Sequence, residues 1–219
     1  MSSSGVEASG FNLPEKLTWE ELQELPDEVA EGIELWQGRP VWNRRGPSEH
    51  QRFARRLCNG LEADARRAMR EGSDSERRLC WQVEVETNVF FKPDKSSFLT
   101  PDFLVYRCLP RGSDIFTEDT VLVGEVLSRS DTPGRRQWKM DRYAEAGIPW
   151  YWEIELDSGK TWDITRVLAY ELVTIDQSGL AVKPLRPVMY AAVGEWEPGI
   201  SIEFPEPFGI SVTWEDLAF

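Results

Sequence analysis

Asp102, Glu125 and Lys139 are the residues of this chain whose types and spacing could do chemistry. Asp102 follows Pro101 at the start of an apolar run, TPDFLVY. Glu125 interrupts a second run, VLVGEVL, and Lys139 comes 14 residues after it, within RRQWKMDRY. Two carboxylates and an amine could hold a divalent cation and a reacting water. Carboxylate oxygens are hard ligands, so Mg²⁺ or Mn²⁺ suits the set better than zinc.

The elements that must position them follow from local pattern. Val121–Leu127 has the length and apolar character of a strand covered on both faces. Side chains alternate along a strand, so Val121, Val123, Glu125 and Leu127 share one face. A carboxylate in such a place needs compensation, by a salt bridge to Arg or Lys or by a bound cation. Pro101 cannot donate a ladder hydrogen bond, which puts Asp102 at a strand mouth, opening a strand that runs to Tyr106. If that strand pairs with 121–127, a spacing of about 4.8 Å brings both carboxylates within reach of one ion. Asp131 or Thr132 can cap a helix with Pro133 at its first position, and Gly147 and Pro149 stop it. Lys139 then sits in the second turn, either reaching back to the acids or pointing to solvent.

Other elements frame this centre. Thr18 and Glu21 form a capping box for a short helix. Residues 32–36 and 40–42 form a hairpin around Gln37-Gly38, with Glu34 in its first strand. Ser48 and Gln51 make a second capping pair. A helix follows to Gly72, with Phe53, Ala54, Leu57, Cys58, Leu61, Ala65, Ala68 and Met69 at helical spacing. Residues 81–89 alternate as a strand with one wet face, and 150–155 form another. Arg166–Ile175 should pair with 180–185 across a turn at 176–179, and 200–204 adds a further strand. Residues 212–219 end the chain in an amphipathic segment. Helices before and after a run of strands make an α/β fold with a mixed central sheet flanked by helices and additional C-terminal β-strands. Residues 1–10 are expected to be a flexible tail, and 11–219 a single domain.

The chain has 219 residues, 41% of them hydrophobic, which is ample for one core. No apolar run approaches the roughly 20 residues of a membrane span, and no secretory signal opens the chain. The net charge of −13 is the wrong sign for a protein that coats nucleic acid. Residues 44–78 nevertheless carry ten arginines against six acids, as a solvated helix face or an Arg-lined approach for phosphates. Three widely separated cysteines argue against a disulfide framework or a zinc site and suit a reducing, cytoplasmic setting. The ten tryptophans fall mostly at strand positions, where core packing explains them.

The block EVLSRSDTPGRRQWKMDRYAEAGIPWYW, with Pro101-Asp102 upstream, resembles the Uma-type family of restriction endonucleases in the PD-(D/E)XK nuclease superfamily. Glu34-Leu35, Ser48–His50 and the segment ending at Phe208 extend the likeness more loosely. The resemblance implies a restriction-endonuclease-like domain that hydrolyses DNA with Mg²⁺ or Mn²⁺, often as a homodimer. It makes Asp102 and Glu125 metal ligands, with the Val126 carbonyl available as a third and Glu34 as the acid completing the site. It moves the catalytic amine to Lys139, because Leu127 occupies the superfamily's strand-lysine position. Arg135 stands where the family commonly has an acid, and Glu155 stands where it has Asp. A module that keeps the fold for DNA or protein binding without catalysis is the alternative, and glycoside hydrolysis by the two acids a more distant one.

Overall fold

The computed structural model describes residues 13–43, 46–72, 79–127, 131–157, 161–175 and 186–217. The expected tail at 1–10 and the expected strand at 180–185 lie outside them. Tertiary contacts divide the chain into two compact units, Met1–Arg45 with Phe90–Leu99, and Gly46–Val89 with Thr100–Phe219. No helix among the described residues is long and apolar enough to cross a membrane.

The first unit opens with α1 (Trp19–Gln23) and α2 (Asp27–Ala30), followed by β1 (Ile33–Trp36) and β2 (Arg39–Trp42). The capping box forms: Glu21 N–H donates to Thr18 Oγ1 at 3.2 Å, and Thr18 N–H donates to Glu21 Oε2 at 2.8 Å. Gln37 and Gly38 adopt φ of 53° and 75°, the left-handed pair that a two-residue hairpin turn requires. Trp19 meets Phe90 and Phe98 edge-on, closing a small aromatic core. Glu34 is fully buried on β1, opposite Val41.

The second unit is built on α3 (Ser48–Glu71) and a sheet. Its strands, in chain order, begin with β3 (Trp81–Val85). The short strands β4 (Val89–Phe90) and β5 (Phe98–Leu99) belong to the passage through the first unit, where β5 pairs with β1. Then come β6 (Phe103–Arg107), β7 (Ile115–Phe116), β8 (Thr120–Leu127), α4 (Pro133–Glu145), β9 (Trp150–Leu156), β10 (Ile164–Thr174) and β11 (Val188–Trp196). A hairpin of β12 (Ile202–Phe204) and β13 (Ile210–Val212) precedes α5 (Trp214–Leu217). The main sheet runs β11-β10-β9-β8-β6-β3, with β8 and β9 parallel and the other neighbours antiparallel. It is the mixed α/β arrangement expected from the order of elements. β10 pairs with β11, with Thr174 opposite Val188.

α3 buries Phe53, Ala54, Leu57, Cys58, Leu61 and Ala65 in one core with Phe103, Val126, Trp152 and Ile154. Its start differs from expectation. Pro47 is the N-cap, Gln51 N–H bonds the Pro47 carbonyl, and Ser48 Oγ donates to Glu49, so no Ser48–Gln51 capping pair forms. β3 stops at Val85, short of the expected 89, because Glu86 turns to φ 43°. The largest departure is a disulfide between Cys80 and Cys108, which sit one step beyond the Trp81–Arg107 pair of β3 and β6. An odd cysteine count had argued against it. Cys58 is the third, buried in the core, and the other two are left to pair across adjacent strands.

Candidate functional site

The antiparallel register pairs Phe103 with Gly124. Asp102 precedes the one and Glu125 follows the other, so the two acids stand opposite each other on the same face. Gly124 is what permits this approach. A Cβ there would overlap the Phe103 ring, which lies across the strand on the other face. Asp102 is tied to β8 directly, for its Oδ2 accepts the Val126 N–H at 2.6 Å.

Glu125 is compensated by α4. Thr132 caps that helix by accepting from Arg135 N–H, and Pro133 occupies its first position. Lys139 and Tyr143 are four residues apart and face the sheet together. Lys139 Nζ donates to both Glu125 oxygens at 2.9 Å, and Tyr143 O–H donates to Oε1 at 2.9 Å. The Lys139 side chain is only 7% exposed, so the solvent-facing alternative does not hold. The buried carboxylate thus has the salt bridge that its position demanded.

His50, in the first turn of α3, reaches the same strand end. Its Nε2 lies 2.9 Å from the Val126 carbonyl and 3.2 Å from Asp102 Oδ2. Burial opposes the imidazolium, but the hydrogen bond and charge of Asp102, the Val126 carbonyl and the charge of Glu125 outweigh it and raise the His50 pKa.

One strand further, register places Glu153 of β9 level with Glu125. Glu153 is fully buried and accepts Arg136 through Nε and Nη2, Tyr151 O–H at 3.0 Å and Tyr170 O–H at 3.0 Å. Desolvation and the Glu153 charge push the Tyr151 and Tyr170 pKa values up. Sequence reasoning singled out neither Arg136 nor Glu153. The available signal was spacing: Arg136 is one turn before Lys139, and Glu153 shares strand parity with Tyr151. Glu155, the family-matched acid, pairs with Arg166 at 2.8 Å near the sheet surface and reaches Arg136 Nη1 at 3.7 Å.

The structure therefore joins Glu125 to Lys139 and Tyr143, and Asp102 to Val126 and His50. Glu34 lies in the first unit. Among the described residues no group of three or more His, Cys, Asp or Glu side chains is arranged to hold a metal ion. The donor chemistry still suits a hard cation: the Asp102 and Glu125 carboxylates share one face of the sheet, and the Val126 carbonyl lies at the same strand end, beside Asp102.

A crystal structure described as "a putative nuclease belonging to DUF820 from Anabaena variabilis" matches with a TM-score of 0.56 at 15% identity, covering 92% of this chain and 97% of that one. The shared architecture is a mixed α/β, nuclease-like fold. The family model Uma2, described as "Putative restriction endonuclease", matches residues 19–188, and the chain belongs to that family. No curated protein matches the sequence.

Proposed function

We propose that this chain is a metal-dependent endonuclease that hydrolyses DNA phosphodiester bonds, acting as a homodimer; the Cys80–Cys108 disulfide removes the cysteine argument for a reducing, cytoplasmic setting. The observation that carries the reading is the antiparallel register that sets Asp102 opposite Glu125, with the Lys139 ammonium on the Glu125 carboxylate. Membership of the Uma2 family supports it. Asp102, Glu125 and the Val126 carbonyl would hold Mg²⁺ or Mn²⁺. When bound, such an ion supplies Lewis acidity to a phosphoryl oxygen.

The chain's own groups do the rest. The Asp102 carboxylate is kept in place by the Val126 N–H. Tyr143 fixes Oε1 of Glu125. Lys139 carries a positive charge in a buried site, where it can stabilise charge developing on a phosphate oxygen. To do so it must share Glu125 rather than hold both its oxygens.

The test is nicking of supercoiled plasmid with Mg²⁺ or Mn²⁺. The wild-type chain should cut, chelation should stop it, and E125Q and D102N should lose cleavage while keeping their circular dichroism spectra. Intact plasmid with both ions, or undiminished cutting by E125Q, would overturn the assignment. A second reading, a binding module without catalysis, draws on Lys139 spanning both Glu125 oxygens. Calorimetric titration with Mn²⁺ separates the two, because only the nuclease reading expects heat of binding.

A further inference from the structure

His50 is not part of the chemistry just described, yet its Nε2 lies 2.9 Å from the Val126 carbonyl and 3.2 Å from Asp102 Oδ2. It is 4% exposed and reaches them from a different element, the start of α3. A carbonyl oxygen can only accept, so the Nε2 that stands 2.9 Å from Val126 O carries a hydrogen. The other ring nitrogen, Nδ1, is buried and has no hydrogen-bond partner among the described residues. That asymmetry decides between two roles. A histidine that ligates a metal through one nitrogen ordinarily donates its other N–H to a carbonyl or carboxylate, which fixes the ring. Among the described residues Nδ1 has no such acceptor. The ring is oriented by packing instead, since a Cβ on Gly46 would overlap His50 Cβ, Cγ and Nδ1.

We propose that His50 is a positioning residue that acts as an N–H donor: it aims the Val126 carbonyl and the Asp102 carboxylate at the cation without itself ligating it. The inference rests on the metal-dependent reading above and adds to it the link from α3 to the ligand set. With His50 in place, β8 and the mouth of β6 are cross-tied twice, by Val126 N–H to Asp102 and by Nε2–H to Val126 O, with Asp102 Oδ2 3.2 Å from the same nitrogen.

The glutamine side chain tests this, because its amide N–H can replace Nε2–H but offers no imidazole lone pair. Mn²⁺ affinity is measured by calorimetry for wild type, H50Q and H50A, with thermal melts without metal to check the fold. H50A should bind Mn²⁺ about 10–100-fold more weakly, as loss of a group that orients a ligand does, and H50Q should recover most of the affinity. G46A, which leaves the imidazole chemistry intact but displaces the ring, should weaken binding too. Wild-type affinity in H50A overturns the proposal, and so does H50Q as weak as H50A, which would make the imidazole itself a ligand. If H50A does not fold, H50Q decides alone: retained affinity supports the donor role and lost affinity overturns it. A wild-type chain that binds no Mn²⁺ overturns the metal reading, and this inference with it.

Discussion

Glu125 and Lys139 are each worth more to the fold together than apart. Both are buried, and Tyr143 adds a third hydrogen bond to the pair. Removing one charge leaves the other uncompensated in a poorly solvated place, which costs about 3–5 kcal/mol. K139M should therefore lower unfolding free energy by about that amount in urea titrations. An exposed lysine would show almost no change. The sequence marked Glu125 through strand parity, because a lone acid among apolar neighbours is conspicuous. It could not mark Glu153. Alternation puts Glu153 and Glu155 on the same face, and only the docked position of α4 shows that Glu153 takes Nε and Nη2 of Arg136 while Glu155 meets Arg136 Nη1 at 3.7 Å and Arg166 at 2.8 Å.

At the scale of elements, α4 and β8 form the working surface. α4 is specified almost wholly by local signals: Thr132 as cap, Pro133 at its start, and Gly147 in the left-handed region at φ 81° after its end. These were legible because capping and stop signals act within a few residues. β8 depends on a contact that no local pattern reveals, the Phe103 ring lying where a Cβ on residue 124 would stand. G124A should destabilise by about 1–3 kcal/mol, the usual cost of overpacking, as read from the urea midpoint. It should also depress Mn²⁺ affinity, since β6 must shift and carries Asp102 with it. A stable G124A with unaltered affinity would remove Gly124 from the account. The partner of β10 was hidden for a related reason: Thr174 stands opposite Val188 of β11, and such a register is a tertiary choice that no local turn signal gives.

For the whole molecule, the mixed sheet was foreseeable from the order of helices and strands, and the cysteine chemistry was not. Counting cysteines treats them as one set, whereas Cys58 is a core residue and only Cys80 and Cys108 meet, at a Cα separation of 5.2 Å. Their bond closes a loop with a sequence separation of 28. In the chain-entropy model, closing such a loop stabilises by about 3–4 kcal/mol. Unfolding in urea with and without dithiothreitol should show a loss of that order on reduction, and C80S should remove the difference. An unchanged midpoint would mean that the two thiols are not joined in solution.

The cross-ties at the acids differ greatly in how much chain each encloses. Lys139 and Glu125 are separated by 14 residues, and His50 and Val126 by 76. Loop-closure entropy grows as (3/2)RT ln n, so the longer tie is about 1.5 kcal/mol harder to close from the unfolded chain. The ammonium side of the centre is therefore a local product of one strand-helix-strand stretch. The imidazole side depends on α3 having already docked, which makes His50 a reporter of long-range assembly as well as a neighbour of the acids.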